Sequence, residues 1–86
     1  MYEIRFSKAT STFLEKLKDK VLKQRILKSI AELVVNPYPN DCKFLKGENK
    51  KIRIRVGKYR IIYSIIEADL VILIIDIDKR SRVYEK

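Results

Sequence analysis

The stretch Lys51-Ile52-Arg53-Ile54-Arg55-Val56-Gly57-Lys58-Tyr59-Arg60-Ile61-Ile62-Tyr63 decides how this chain folds. From Lys51 to Val56, cations stand at odd positions and β-branched apolar residues at even ones. A period of two puts the apolar set on one face of a strand and the cations on the other. Gly57-Lys58 supplies a tight turn, so residues 59–66 are expected to return antiparallel as the second arm of a hairpin. A sheet with one apolar face must cover it, and the segment upstream is built to do so.

In that segment Ser7 is placed to cap a helix, since its hydroxyl can accept from a backbone N–H two or three residues on. Ala9, Phe13, Leu14 and Leu17 follow at helical spacing, with Glu15, Lys16 and Lys18 on the other side. After a polar interval at residues 18–20, Val21, Leu22, Arg25, Ile26, Ser29, Ile30, Leu33 and Val34 form one face of a second helix. Helices joined so closely should fold back as an αα-hairpin. Asn36-Pro37-Tyr38-Pro39-Asn40 stops the second one, because each proline disfavours helix for itself and its predecessor. Residues 2–6 alternate weakly and suit a short first strand. Beyond the hairpin, Glu67-Ala68-Asp69 reads as a turn. Residues 70–75 are nearly all β-branched or Leu, as expected of a strand buried on both faces. A polar tail, residues 76–86, closes the sequence. The order is β-α-α-β-β-β, an α+β fold: a twisted, mainly antiparallel sheet with the αα-hairpin packed on one face. The other face stays partly open and cationic, and a ligand is expected there.

Composition narrows the chemistry. With 86 residues, 47% of them hydrophobic, the chain supports a single domain spanning 1–86 and is not disordered. Cys42 is alone, so no intramolecular disulfide forms within the chain, and the reading is intracellular. The longest apolar run, residues 70–75, is far short of the ~20 residues of a spanning helix, so a soluble cytoplasmic protein without a membrane is expected. Without any His, a His acid–base pair, a Ser-His-Asp triad and His metal ligands are excluded. Two glycines are too few for a phosphate-binding loop. Asp76 and Asp78 share a strand face but stand beside Lys79 and Arg80, so ion pairing or a turn outweighs a magnesium role. No cofactor and no metal are expected.

Charge points the other way, toward a ligand. Lys and Arg number 20 against 11 Asp and Glu, giving +9. Residues 43–60 hold eight cations against Glu48 alone, which is +7 of that total. Such a strip attracts polyanions, nucleic acid first; an acidic protein or an anionic membrane surface would be attracted for the same reason. Lys51, Arg53 and Arg55 stand in a row ~7 Å apart, twice the strand rise. A same-sign row is repulsive until an anion arrives. Tyr59 and Tyr63 are expected to pack.

The string from Lys51 to Tyr63 resembles the core motif of the RelE/ParE toxin superfamily. Asp78-Lys79-Arg80-Ser81-Arg82-Val83-Tyr84 resembles that family's C-terminal motif. The helical hairpin, the proline break and Leu45-Lys46-Gly47 ahead of the strands extend the likeness over essentially the whole chain. The resemblance implies a toxin of a type II toxin–antitoxin system. Its RelE-type members cut messenger RNA in the ribosomal A site by metal-free attack of the 2′-hydroxyl on the adjacent phosphate. Carried over residue by residue, the family's site picks out Lys51, Arg53, Arg60, Arg80 and Tyr84. Lys51 is the candidate base, Arg53 and Arg60 grip the phosphate, Arg80 serves the leaving 5′-oxygen, and Tyr84 stacks on a base. Lys46, Lys50, Arg55, Lys58, Lys79 and Arg82 are expected to hold RNA or the ribosome. Two other readings stay open, a gyrase inhibitor of the ParE branch and a non-catalytic RNA- or ribosome-binding module. The cation-plus-Tyr set favours the nuclease. The implied partners are the ribosome, messenger RNA and an acidic, RelB-like antitoxin, bound as a heterodimer or heterotetramer.

Overall fold

Ser7 accepts the Thr10 N–H at 3.1 Å and caps α1 (Lys8–Lys16), as its hydroxyl predicts. Asp19 does the same for α2 (Lys20–Leu33), accepting from Leu22 N–H at 3.0 Å. These elements belong to a computed structural model that describes residues 1–45 and 50–79. The strands are β1 (Glu3–Phe6), β2 (Lys43–Phe44), β3 (Ile52–Val56), β4 (Tyr59–Ile66) and β5 (Val71–Lys79). Residues Glu67–Asp69 form one 3-10 turn between the last two.

The five strands make one sheet in the order β1-β5-β4-β3-β2. Neighbours run antiparallel except β1 and β5, which are parallel. The expected α+β architecture is therefore present, with two additions. β2 is too short to carry a periodic signal, and the segment expected to end near Ile75 continues as strand to Lys79. Leu70, expected to start that strand, instead takes a left-handed conformation, φ 54°, and is exposed.

Both helices cover the same face. α1 lies against β1 and β5, and α2 lies over β3. Leu14 from α1 and Ile26, Ile30 and Leu33 from α2 meet Ile52, Ile54, Val56, Ile61, Tyr63, Ile72, Ile74 and Ile77 from the sheet. Each fully buried Ile or Leu contributes ~1.5–3 kcal/mol, so this layer supplies most of the driving force for folding. Tyr59 joins its edge, its ring centroid 5.7 Å from that of Phe13. Tyr63 is fully buried and donates its phenol proton to the Pro37 carbonyl at 2.7 Å, tying the proline break to the sheet. Both tyrosines thus pack, as expected. Among the described residues no helix is long and apolar enough to cross a membrane.

Candidate functional site

The face away from the helices takes its side chains from the alternate positions of β3, β4 and β5. In the Gly57-Lys58 turn, Gly57 has φ +60°, a conformation that costs other residues. The Arg25 guanidinium lies 3.6 Å from where its Cβ would stand. The turn fixes the pairing of Arg55 with Arg60, Ile54 with Ile61 and Ile52 with Tyr63. The register across four strands arranges the open face in rows. One row holds Lys43, Arg53, Ile62 and Asp76. The next holds Arg55, Arg60 and Asp78. Cross-strand partners sit ~4.5–5.5 Å apart at Cα and successive rows ~7 Å apart, so three guanidinium groups share a small area.

Their burial differs. Arg55 is exposed, Arg60 half-buried, and Arg53 only 8% exposed, which departs from the expectation that every cation of this strand points into water. A charge removed from water persists only when neighbours engage it, and Arg53 and Arg55 are both engaged by neighbours. Arg60 carries a strained feature: its Nε is buried with no hydrogen-bond partner among the described residues. An orphaned buried donor costs ~1–3 kcal/mol.

The other expected site residues are less concentrated. Lys51 directly precedes β3, has the parity of Arg53 and Arg55, and accepts the Leu45 N–H at its carbonyl at 2.9 Å. It stands one row beyond Arg53, ~13 Å from Arg55 along the strand. Lys50 is exposed in a left-handed turn, φ 47°, and Lys58 is exposed in the hairpin turn. Lys79 pairs with Tyr59, so the register assigns it to the helix-covered side of the sheet, away from Arg60. Lys46, Arg80, Arg82 and Tyr84 lie outside the described residues.

Sequence reasoning gave Asp76 and Asp78 an ion-pairing or turn role without placing them on the arginine face. Asp76 and Asp78 do share a face, as their spacing indicates, but that face is the arginine one. Asp78 accepts the Lys79 N–H at 2.7 Å, which helps to fix its carboxylate. The signal was present in the Ile74-Ile75 doublet, where the alternation of the strand changes phase.

A family model described as the ParE toxin of the type II toxin–antitoxin system parDE matches residues 4–84. The chain belongs to the RelE/ParE superfamily of toxins. RelE1 of Methanocaldococcus jannaschii is 37% identical over 79 residues, spanning 84% of this toxin and 86% of the relative. The fold is shared with the archaeal RelE–RelB complex of Pyrococcus horikoshii at a TM-score of 0.81 and 30% identity, covering 94% of this toxin and 97% of that chain. The isolated RelE toxin of Escherichia coli superposes with a TM-score of 0.79 at 26% identity, covering 98% and 92%.

Proposed function

We propose that this toxin is a ribosome-dependent endoribonuclease that cleaves messenger RNA in the A site without a metal ion. The observation that carries the reading is the open-face cluster in which Arg53 adjoins the Arg55–Arg60 pair, with the Arg60 Nε buried and without a hydrogen-bond partner among the described residues. Relatives named RelE add support.

The chemistry needs three services. The 2′-oxygen attacks the adjacent phosphorus as its proton leaves, and the P–O5′ bond breaks, giving a 2′,3′-cyclic phosphate and a 5′-hydroxyl. Negative charge builds on the phosphoryl oxygens on the way. Arg53 and Arg60 bind those oxygens, and their attraction strengthens as the charge grows. Lys51 takes the 2′-hydroxyl proton, and Arg80 stabilises or protonates the departing oxygen. Tyr84 stacks on a splayed base. Catalysis by groups of this kind rests chiefly on positioning and electrostatics, so the ribosome's task is to present the message in the reactive geometry.

The antitoxin reading has the same basis. The P. horikoshii relative was solved as a RelE–RelB complex, and a cationic open face fits an acidic, amphipathic segment that folds on docking. A second reading is favoured by the name of the matching family model, ParE toxin: inhibition of DNA gyrase, for which the arginine rows need not act on RNA.

Primer extension on a defined message in a translating extract separates the two. Wild-type toxin is expected to leave cuts at A-site codons only when ribosomes are present. Arg60→Ala and Arg80→Ala should each reduce cutting ~10²–10³-fold, the loss typical of one transition-state donor, with the fold intact by circular dichroism. Absence of cuts with translation unimpaired would overturn the nuclease reading, and a supercoiling assay would then test the other.

A further inference from the structure

β5 changes phase part-way along. Ile72 and Ile74 face the helices, and so does Ile77. Ile74 and Ile77 are three residues apart, which a regular strand would put on opposite faces. A bulge resolves the conflict. Tyr63 pairs with Ile74 and Ile62 pairs with Asp76, so Ile75 is the extra residue. Beyond it, Asp76 stands opposite Ile62 and Asp78 opposite Arg60, on the arginine face.

Without the bulge the ladder would slip by one. Asp76 would then stand opposite Ile61 in the core, and Ile77 opposite Arg60 on the open face. A one-residue slip exchanges the two faces of a strand. The bulged register therefore decides whether the arginine rows end in carboxylates or in isoleucine.

The bulge turns the Ile75 carbonyl to the edge where β1 stops at Phe6, beside the Ile74 carbonyl that continues the β1–β5 ladder. Two hydroxyls meet them. Ser7 Oγ lies 2.8 Å from the Ile75 carbonyl oxygen and 2.9 Å from Thr10 Oγ1, and the fully buried Thr10 Oγ1 lies 3.2 Å from the Ile74 carbonyl oxygen. The two hydroxyls and two carbonyls thus form one linked group in which Ser7 donates to Ile75 and Thr10 to Ile74. Ser7 N–H adds a bond to the Ile74 carbonyl at 3.0 Å. Ser7 is thus bound on both sides, accepting from Thr10 N–H as helix cap and donating to the bulge.

We propose that Ser7 and Thr10 are positioning residues for the cationic face: their hydroxyls pin the bulge at Ile75 and so hold Asp76 and Asp78 in the arginine rows. Asp78 offsets repulsion between Arg55 and Arg60, and Asp76 places a negative charge at the end of the Arg53 row. The consequence for activity rests on the nuclease reading, whereas the consequence for the strand does not.

The test separates capping from bulge holding. Ser7→Asp keeps a capping acceptor but has no proton to give the Ile75 carbonyl, while Ser7→Thr keeps both. Amide hydrogen exchange on the folded chain is read residue by residue for wild type, both variants, Ser7→Ala and Thr10→Val. In Ser7→Asp, Ser7→Ala and Thr10→Val, exchange over Asp76–Lys79 should accelerate ~10-fold more than over residues 71–74, as expected for one net hydrogen bond lost locally. Ser7→Thr should match wild type. Equal acceleration along the whole of β5, or a Ser7→Asp pattern like wild type, would overturn the proposal and leave Ser7 a simple cap. In RNA cleavage, Ser7→Asp should lower kcat ~10-fold with KM little changed, and Ser7→Thr should restore it. If wild type cuts no RNA, the nuclease reading fails while the exchange data still decide the role of the bulge.

Discussion

The two faces of β3 come from the same six-residue alternation and meet opposite fates. Ile52, Ile54 and Val56 are buried under α2 and pack with residues of every other layer. Arg53 and Arg55 face the other way, beside Arg60 and, through β4, the carboxylates of β5. On the covered face any well-fitting apolar side chain does the same work, because dispersion and burial are non-directional. On the open face identity and register both matter, because like charges at cross-strand distance repel and a guanidinium must be aimed. The covered face accumulates stability, whereas like charges crowd the open face, where Arg53 and Ile62 are nonetheless buried. That division is expected where a site is built for a ligand of opposite charge.

Substitutions on the covered face test its half of this contrast. Ile74 is fully exposed to packing and not at all to solvent, so Ile74→Ala should cost ~2–5 kcal/mol in chemical denaturation through lost burial and the cavity left behind. A cost below ~1 kcal/mol would mean that the sheet collapses around the gap and that the covered face is more plastic than its packing implies. Tyr63 mixes the two kinds of interaction. Removing its hydroxyl leaves the Pro37 carbonyl without its donor, so Tyr63→Phe should cost ~1–3 kcal/mol. The same substitution has a signature in pH. Burial first, then nearby groups, push the Tyr63 phenol above its ordinary value of 10.0. In the unfolded chain it ionises at that ordinary value, and in the folded chain only higher. Its contribution is complete below pH 10 and is lost as pH rises beyond it. Tyr63→Phe should therefore flatten the alkaline decline in stability.

Most of the covered face was legible in the sequence, because periodicity reports burial directly. The even positions of β3, the spacing of Ile26, Ile30 and Leu33, and the Ser7 cap all followed from side-chain chemistry over a few residues. β2 was not legible: two residues cannot display a period, and Lys43 joins the Arg53 row only through pairing across the sheet. The carboxylates were half legible. Their shared face followed from spacing, but which face it was depended on the phase change at Ile74-Ile75. That apolar doublet was read as burial on both sides of a strand, when it marks a bulge. Lys79 shows the same limit in reverse. It neighbours Asp78 in sequence and was grouped with the RNA-holding cations, yet its pairing with Tyr59 assigns it to the helix side. Alternation predicts relative faces within a strand, and only the register between strands makes them absolute.

The smallest effect in stability should come from Arg55, and it probes the open face most cleanly. Its side chain is exposed and contributes nothing to the apolar layer. Arg55→Ala should thus shift unfolding free energy by no more than ~0.5 kcal/mol. Removing it also relieves repulsion on Arg60, which works against the loss of its present contacts. Binding to single-stranded RNA should respond more than folding does. If Arg55 contacts one phosphate, the slope of log affinity against log salt should become shallower by ~0.7. Stability and binding would then be carried by opposite faces of the same strand. A large loss of stability with an unchanged salt slope would instead make Arg55 a structural partner of its neighbours, and would leave Arg53 and Arg60 to carry the open face.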